Sequence, residues 1–240
     1  MHILATTSAS LDDLVEPVDL GQSPADMVAL SFTDSDLAAT EAAWRTGRPA
    51  LPDMRFAALR DLRHPMSVDL WIDRVALHAK VILVRILGGY DWWRYGCDRL
   101  VDVARDRGIA LVLLPGECRE DDATLAGLST VPVSERAALL DCFREGGPDN
   151  MRALIGRLAR LAGADVAPEV ARPLEKAGFY APGTGVVPFV HFAAQESAGR
   201  PVVPVLFYRS MLLAGDVAPI DALFRALSEH GVSAVPVFVS

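Results

Sequence analysis

Cysteine is scarce in this sequence, and the few cysteines lie far apart. The 240 residues contain three of them, Cys97, Cys118 and Cys142, with no Cys-x-x-Cys spacing. An odd number of widely separated cysteines supplies neither the disulfide framework of a small secreted domain nor the ligand pairs of a zinc ribbon. We therefore expect reduced thiols that are mainly buried.

Basic charge is also in short supply. Lysine and arginine total 23 against 31 acidic residues, which gives a formal net charge of −8 and a sequence pI near 5.1. A dedicated nucleic-acid-binding protein is expected to carry a basic face or stripe, and no cluster of lysine and arginine provides one. This balance excludes nucleic acid as a partner.

Long apolar runs and a charged leader are missing as well. The longest runs, such as Ile109 to Leu114, are far too short to cross a bilayer. The first five residues, Met1 to Ala5, lack the positive region that opens a secretory signal. We expect a cytoplasmic protein with no membrane partner.

The usual motifs for nucleotides and metals do not occur. No Gly-x-x-x-x-Gly-Lys-Ser/Thr segment is present, so ATP binding by a P-loop is not expected. No His-x-x-x-His pair occurs, and no carboxylates cluster at ligand spacing around a histidine. The histidines are His2, His64, His78, His191 and His230. We predict no metal site and no bound cofactor in this segment.

Short apolar runs alternate with helical periodicity along most of the chain. Near-continuous apolar runs are typical of strands that are covered on both faces, as in a parallel sheet between helix layers. The pattern predicts an α/β fold, with a flavodoxin-like or Rossmann-like parallel sheet and flanking helices. The predicted strands are Ile3–Thr6, Met27–Phe32, Met54–Leu59, Val81–Leu87 and Ile109–Leu114, and the crossover helices are Asp36–Thr46, Ser67–Ala79 and Trp92–Arg107.

The distribution of proline, glycine and apolar runs predicts three parts of the chain. Residues 1–163 form the N-terminal α/β domain, which ends in two helices at Ser134–Arg144 and Asp149–Leu161. Proline and glycine recur through 164–201, which predicts a linker. Residues 202–240 read as strand, helix and strand, and we interpret this βαβ unit as the start of a second, truncated α/β domain, because two strands and a helix cannot bury their own sheet faces.

Charged residues follow several predicted strands. Arg85 interrupts an apolar strand and precedes Gly88 and Gly89, while Glu117 and Arg209 follow two other strands. The carboxyl ends of parallel strands form the ligand crevice of such sheets. One hypothesis is therefore a rim that holds the carboxylate or amide groups of a large ligand, or a neighbouring domain. The alternative is that Arg85 pairs with Asp69, Asp91 or Glu117 and braces loops.

The segment from Leu62 to Asp69 carries the most specific pattern. It presents Arg63 and His64 before a proline, at the start of the predicted helix 67–79. We expect Ser67 to cap this helix and Asp69 to lie in its first turn, where the helix dipole favours an anion. Trp92 and Trp93, near a strand end, either pack a domain or stack on a flat macrocycle, and packing is the simpler reading.

This octet resembles a signature of the large subunit of the aerobic cobaltochelatase family, which is related to the magnesium chelatase large subunit. Further segments resemble family motifs in the same order along the chain. They are Val84–Gly89, Leu114–Glu117, Gly146–Asn150, Phe207–Arg209 and Ala234–Ser240. The resemblance covers nearly the whole chain, although Ala5–Asp13 and Arg119–Thr124 match loosely.

The resemblance implies a role in inserting Co(II) into hydrogenobyrinic acid a,c-diamide. In such a complex ATP, Mg²⁺ and Co²⁺ are used elsewhere, and the partners are the remainder of the large subunit, two AAA+ type ATPase-associated subunits and the corrinoid substrate. This segment would then be a structural, macrocycle-contacting or partner-docking module, inert alone. Two alternatives are a magnesium chelatase subunit and a non-catalytic ligand-sensing or receiver-like module, although Thr6-Thr7-Ser8 and Pro115-Gly116 stand where a receiver needs acids and a lysine.

Overall fold

The computed structural model describes residues 16–48, 50–116, 121–196 and 199–240. These residues divide into two compact units. The first contains the described residues up to 37, those between 50 and 137, and 158–166, and the second contains 38–48, 138–157 and the described residues from 167 onwards. The strand predicted at Ile3–Thr6 and the side chains of Glu117 and Cys118 lie outside the described residues.

The first unit is built on a four-stranded parallel sheet. Its strands are β1 (Met27–Ser31), β2 (Met54–Ala58), β3 (Val81–Ile86) and β4 (Ala110–Pro115), in the order β2-β1-β3-β4. Every residue of β1 and β3 is buried, as expected for central strands covered on both faces. The order matches the first four strands of a flavodoxin-like sheet, so the predicted α/β class and parallel sheet are confirmed.

The described residues up to 161 contain six α-helices. They are α1 (Asp34–Gly47), α2 (Pro65–Arg74), α3 (Arg94–Arg107), α4 (Ala123–Leu128), α5 (Val133–Glu145) and α6 (Gly147–Leu161). Short 3-10 turns at Leu59–Leu62, Ala76–His78 and Tyr90–Trp93 flank α2 and α3. None of the described helices combines the length and the apolar character that a membrane span requires.

Helix α2 differs from its prediction at both ends. It begins two residues before Ser67 and gives way to a 3-10 turn after Arg74. The apolar stripe nevertheless holds, because Val68, Trp71 and Ile72 all lie in the core of the first unit. The 3-10 turn keeps Ala76 facing the same core. The stripe therefore identified the buried face correctly, although not the helix ends.

Two described cysteines match the expectation for reduced thiols. Cys97 and Cys142 are both buried, and both are present as thiols. Burial, with smaller contributions from nearby carboxylates, raises the pKa of the Cys97 thiol to about 12. A thiol with such a pKa carries almost no thiolate at neutral pH and is a poor nucleophile, so Cys97 is a packing residue.

The second unit contains a mixed four-stranded sheet. Its strands are β5 (Ala177–Ala181), β6 (Gly185–Val187), β7 (Val202–Tyr208) and β8 (Ser233–Val239), in the order β6-β5-β8-β7. Strands β7 and β8 are parallel, and β5 is antiparallel to both β6 and β8. Besides most of α1, α5 and α6, this unit contains α7 (Val190–Glu196), α8 (Arg209–Leu213) and α9 (Ala218–Glu229).

Residues 164–201, expected from composition to be a linker, contain β5, β6 and α7. These elements are short, and the turn Pro182–Gly185 between the strands supplies the proline and glycine that suggested a linker. The βαβ unit at 202–240 therefore gains its sheet neighbours from within the described chain, because β5 pairs directly with β8. Phe207 and Phe238 pack with Tyr180 and Leu212 in the core of this unit.

Candidate functional site

Arg85 ties together the carboxyl ends of three strands in the first unit. Its guanidinium pairs with Asp36 of α1 and donates to the main-chain oxygens of Pro115 and Gly116, at 3.4 and 2.9 Å. The Ser31 hydroxyl donates to the other oxygen of Asp36 at 2.8 Å. The partner is thus Asp36, and neither Asp69 nor Asp91. Arg85 is only 6% exposed, so its charge is committed inside the fold.

The octet motif organises the start of α2, but by different residues from those expected. The prediction that Ser67 caps the helix is wrong, because His64 is the N-cap and its Nδ1 accepts the Met66 N–H at 3.1 Å. Pro65 occupies the first helical turn, where its missing N–H costs nothing. The buried Ser67 hydroxyl instead accepts the Val18 N–H at 2.7 Å.

Alanine in place of His64 should lower the free energy of unfolding by about 0.5–2 kcal/mol, the usual loss for an N-cap side chain. His64→Asp should restore the loss, because a carboxylate caps well and also suits the helix dipole. Chemical denaturation measures both, with exposed His78→Ala as the control that leaves stability unchanged. Equal stability of the His64→Ala variant and wild type would rule out the cap.

Asp69 lies in the second turn of α2, so its predicted place in the first turn is wrong. Its carboxylate accepts from the Tyr95 hydroxyl at 2.7 Å and from Arg99 Nε at 2.9 Å. The Tyr95 hydrogen bond, followed by Arg99, lowers the pKa of Asp69 despite an opposing effect of burial. Asp69 therefore links α2 to α3 and does not face Arg85.

Arg63 and the glycine pair complete the loops at this edge. Arg63 is exposed, and its guanidinium carbon lies 5.9 Å from the centroid of the Trp92 ring. Gly88 and Gly89 have φ values of 89° and 72°, a region that favours glycine, so the pair makes a turn. Glu117, which follows the next strand, lies outside the described residues.

The two neighbouring tryptophans pack within the protein. The indole of Trp93 is buried and donates to the Leu62 carbonyl at 2.8 Å. Trp92 meets Phe32 edge to face, with ring centroids 4.7 Å apart. These contacts account for both rings without a macrocycle.

Arg209 belongs to the second unit, so it shares no sheet with Arg85. It begins α8, directly after β7, and donates to the main-chain oxygens of Glu175 and Leu174 at 3.0 and 2.9 Å. Of the candidate residues, Arg85, His64 and Asp69 lie in the first unit and Arg209 in the second, and each makes its hydrogen bonds within its own unit. Through these hydrogen bonds, Arg209 holds one wall of a pocket.

This pocket, which we call the α6 pocket, has a volume of about 440 Å³ and lies entirely within the second unit. It is bounded by the start of α6, the segment before β5, the β5–β6 turn and the first turn of α9. Its lining residues are Gly146–Asn150, Arg152, Arg172–Glu175, Tyr180, Gly183–Val186, Leu212 and Asp221. The family-like segment Gly146–Asn150 thus forms part of its wall.

Glycine is required where α5 turns into α6. Gly146 and Gly147 have φ values of 58° and 83°, which favour glycine. A Cβ on Gly146 would lie 2.7 Å from the Leu213 side chain, closer than packed carbon atoms approach. The close contact with Leu213 fixes the start of α6 against α8.

Asn150 holds the wall of the α6 pocket that the segment before β5 forms. Its buried amide donates to the carbonyls of Gly146 and Arg172, at 2.7 and 2.9 Å, and its oxygen accepts the Arg172 N–H at 2.8 Å. A carboxylate oxygen of Glu145 accepts the Leu174 N–H at 3.2 Å. These bonds anchor residues 172–174, which lie in neither a helix nor a strand, so this wall of the pocket is held by side-chain hydrogen bonds.

A buried tyrosine and a carboxylate meet on the floor of the α6 pocket. The Tyr180 hydroxyl donates to Asp221 Oδ1 at 2.9 Å. Burial, then the hydrogen bond and the charge of Asp221, raise the pKa of Tyr180 well above its usual range. Tyr180 therefore stays protonated as a donor, and Asp221 keeps its second oxygen as an acceptor.

Sequence reasoning missed this pocket because it treated Gly146–Pro148 as a helix break and 164–201 as a linker. A signal was nevertheless present. The run Phe179–Ala181, the glycine-rich turn Pro182–Gly185 and Val186-Val187 have the order of a short hairpin. Reading it as a hairpin would have placed Tyr180 in a strand. No three His, Cys, Asp or Glu side chains among the described ranges could together hold a metal ion.

Comparisons with known proteins identify the chain. The family model "CobN/Magnesium Chelatase" matches residues 140–240, the range that contains all of the α6 pocket. The aerobic cobaltochelatase subunit CobN of a Sinorhizobium species is 38% identical over the whole of this chain. The chain belongs to the CobN cobaltochelatase family. The CobN of Pseudomonas aeruginosa is 34% identical over 99% of the chain.

Both CobN relatives are far longer than this chain, which spans 19% of each. The solved catalytic subunit of cobaltochelatase from Mycobacterium tuberculosis matches 89% of the chain at 26% identity, with a TM-score of 0.66, and the match covers 16% of that protein. The CobN family resemblance drawn from the octet and the later motifs is therefore confirmed, and so is the α/β fold.

Proposed function

We propose that this chain is the N-terminal portion of a cobaltochelatase large subunit that inserts Co(II) into hydrogenobyrinic acid a,c-diamide, in cobalamin biosynthesis. The observation that carries this is identity of 38% over the full chain to a CobN subunit. Two AAA+ type subunits hydrolyse the ATP that drives insertion, and the remainder of the large subunit completes the enzyme.

Within that subunit, we assign different roles to the two units. At the carboxyl edge of the first sheet, Arg85, His64 and Asp69 make their contacts within the first unit. This supports a scaffolding role for the first unit. The α6 pocket is open and largely apolar with several polar groups, which is the character of a ligand site.

Cobalt insertion by the reconstituted enzyme tests the proposed function. A large subunit carrying this segment, mixed with its two ATPase subunits, Co²⁺, ATP and Mg²⁺, should convert hydrogenobyrinic acid a,c-diamide to its cobalt form, followed by absorbance. The 240-residue chain in place of that subunit should give no conversion. Insertion of Mg²⁺ into protoporphyrin, with no cobalt insertion, would contradict the assignment and favour the magnesium chelatase alternative.

A further inference from the structure

We propose that the α6 pocket is a subsite for one edge of the corrinoid, in which Asp221 accepts a hydrogen bond from a carboxamide arm and Arg172 binds a carboxylate arm. The inference rests on the proposed function for the identity of the ligand. It adds two points to the proposed function: which residues of this chain contact the ligand, and how they distinguish a carboxamide arm from a carboxylate arm.

The volume of the pocket decides how much of the ligand it can hold. Its volume is about 440 Å³. This lies in the lower half of the range for small-molecule pockets, roughly 300–1,000 Å³. A tetrapyrrole ring with all its side arms is larger, so the pocket takes an edge of the ring and its arms.

The walls match such an edge. Pro173, Leu174, Val186 and Leu212 give apolar surface against which ring methyl groups and the methylenes of an arm can pack. The charged groups of the lining have both signs, because it contains guanidinium groups and carboxylates. A ligand that carries both amides and acids fits this mixture better than a polyanion.

Asp221 is the group that can distinguish a carboxamide arm from a carboxylate arm. Tyr180 occupies one of its oxygens and holds the carboxylate in place on the pocket floor. The second oxygen can accept an N–H from a carboxamide, whereas a carboxylate arm at the same position would bring two negative charges together. Like charges at close range disfavour binding strongly. Asp221 therefore favours an amidated arm.

Arg172 favours a carboxylate arm of the ligand. Its backbone is clamped on both sides by Asn150, and its exposed side chain lines the pocket. The other lining arginine, Arg152, is paired with Asp149. Arg172 is thus the guanidinium best placed for an acid arm, since guanidinium and carboxylate groups form strong paired hydrogen bonds.

Binding of two corrinoids to the 240-residue chain tests the subsite. The chain is titrated with hydrogenobyrinic acid a,c-diamide and with hydrogenobyrinic acid, which carries acids in place of the two amides, and absorbance is followed. Wild type should bind the diamide about tenfold or more tightly. Asp221→Asn keeps an acceptor for Tyr180 and presents an amide to the pocket, so the preference should fall about tenfold or reverse.

Two further variants complete the test. Asp216→Asn, an exposed aspartate outside the pocket, should leave the preference unchanged. Arg172→Gln should weaken both ligands about tenfold and leave their ratio alone. The subsite is overturned if wild type binds neither corrinoid, or if Asp221→Asn keeps the wild-type ratio. Either result can coexist with cobalt insertion by the large subunit, so failure of the subsite is distinguishable from failure of the proposed function.

Discussion

Replacing Arg85 by alanine should lower the free energy of unfolding by about 3–5 kcal/mol, the range for removing one partner of a buried ion pair. Asp36 would lose the Arg85 guanidinium while only 15% of its side chain is exposed, and the carbonyls of Pro115 and Gly116 would lose the same donor. Because Arg85 connects β3 to α1 and to the end of β4, the loss should be felt across the first sheet. Urea denaturation measures it, and amide exchange in β1 and β3 locates it.

The chain offers a matched control for this experiment. Arg60 pairs with Asp34, in the same first turn of α1, but their side chains are 55% and 71% exposed. Exposed pairs contribute about 0–1 kcal/mol, so Arg60→Ala should scarcely change stability. Equal losses in the two variants would contradict the bracing role of Arg85. The double variant Arg85→Met with Asp36→Leu should recover part of the loss, since no unpaired charge remains.

The second large effect is expected at Asn150. Asn150→Ala should cost about 2–4 kcal/mol. The change leaves the buried carbonyl of Gly146 without this donor, which costs about 1–3 kcal/mol, and the two partly buried bonds to the Arg172 backbone add less. The wall at Arg172–Leu174 should loosen with it. Denaturation gives the free energy, and the amide hydrogens of Arg172 and Leu174 should exchange faster than in the wild type.

Asp149→Ala provides the control at the neighbouring position. Asp149 belongs to the same first turn of α6 and pairs with Arg152 at the surface. Its loss should change stability by less than about 1 kcal/mol. If Asn150→Ala were no more destabilised than Asp149→Ala, the amide clamp would not be what holds the pocket wall.

The strands of the first sheet could be predicted because each carries its own signal. The runs at Met27, Val81 and Ala110 are apolar at nearly every position, since both sheet faces are covered, and their observed ends fall within a residue or two of the predicted ones. Local chemistry was less informative at the start of α2. A histidine cap lies outside the usual set of serine, threonine, aspartate and asparagine, so Ser67 was the natural but wrong choice.

Contacts between side chains that are distant in the sequence were harder to predict than the strands. The position of Arg85 near the end of a strand follows from sequence, but its partner Asp36 lies 49 residues away on another element, and nothing local distinguishes it from Asp69 or Asp91. The α6 pocket was invisible for a related reason. Its walls come from five separated segments, and the hairpin that supplies Tyr180 is so short that its turn residues dominate the composition.

The division of roles between the two units follows from these contacts. In the first unit, Arg85 and Asp69 form ion pairs and hydrogen bonds with other residues of that unit. In the second, the family-like segment Gly146–Asn150 shapes an open pocket, and the match to the family model covers that same region. These observations support the proposal that the corrinoid contacts this segment at the α6 pocket.

Filling the α6 pocket tests that placement most directly. Val186 lines the pocket from β6 and is half exposed, so Val186→Trp puts an indole into the volume without disturbing the core. Val190→Trp, at an exposed position of α7 outside the pocket, makes the same change as a control. In titrations of the chain with hydrogenobyrinic acid a,c-diamide, Val186→Trp should weaken binding about tenfold or more while Val190→Trp binds as wild type does. Equal affinity of the two variants for the corrinoid would contradict the placement.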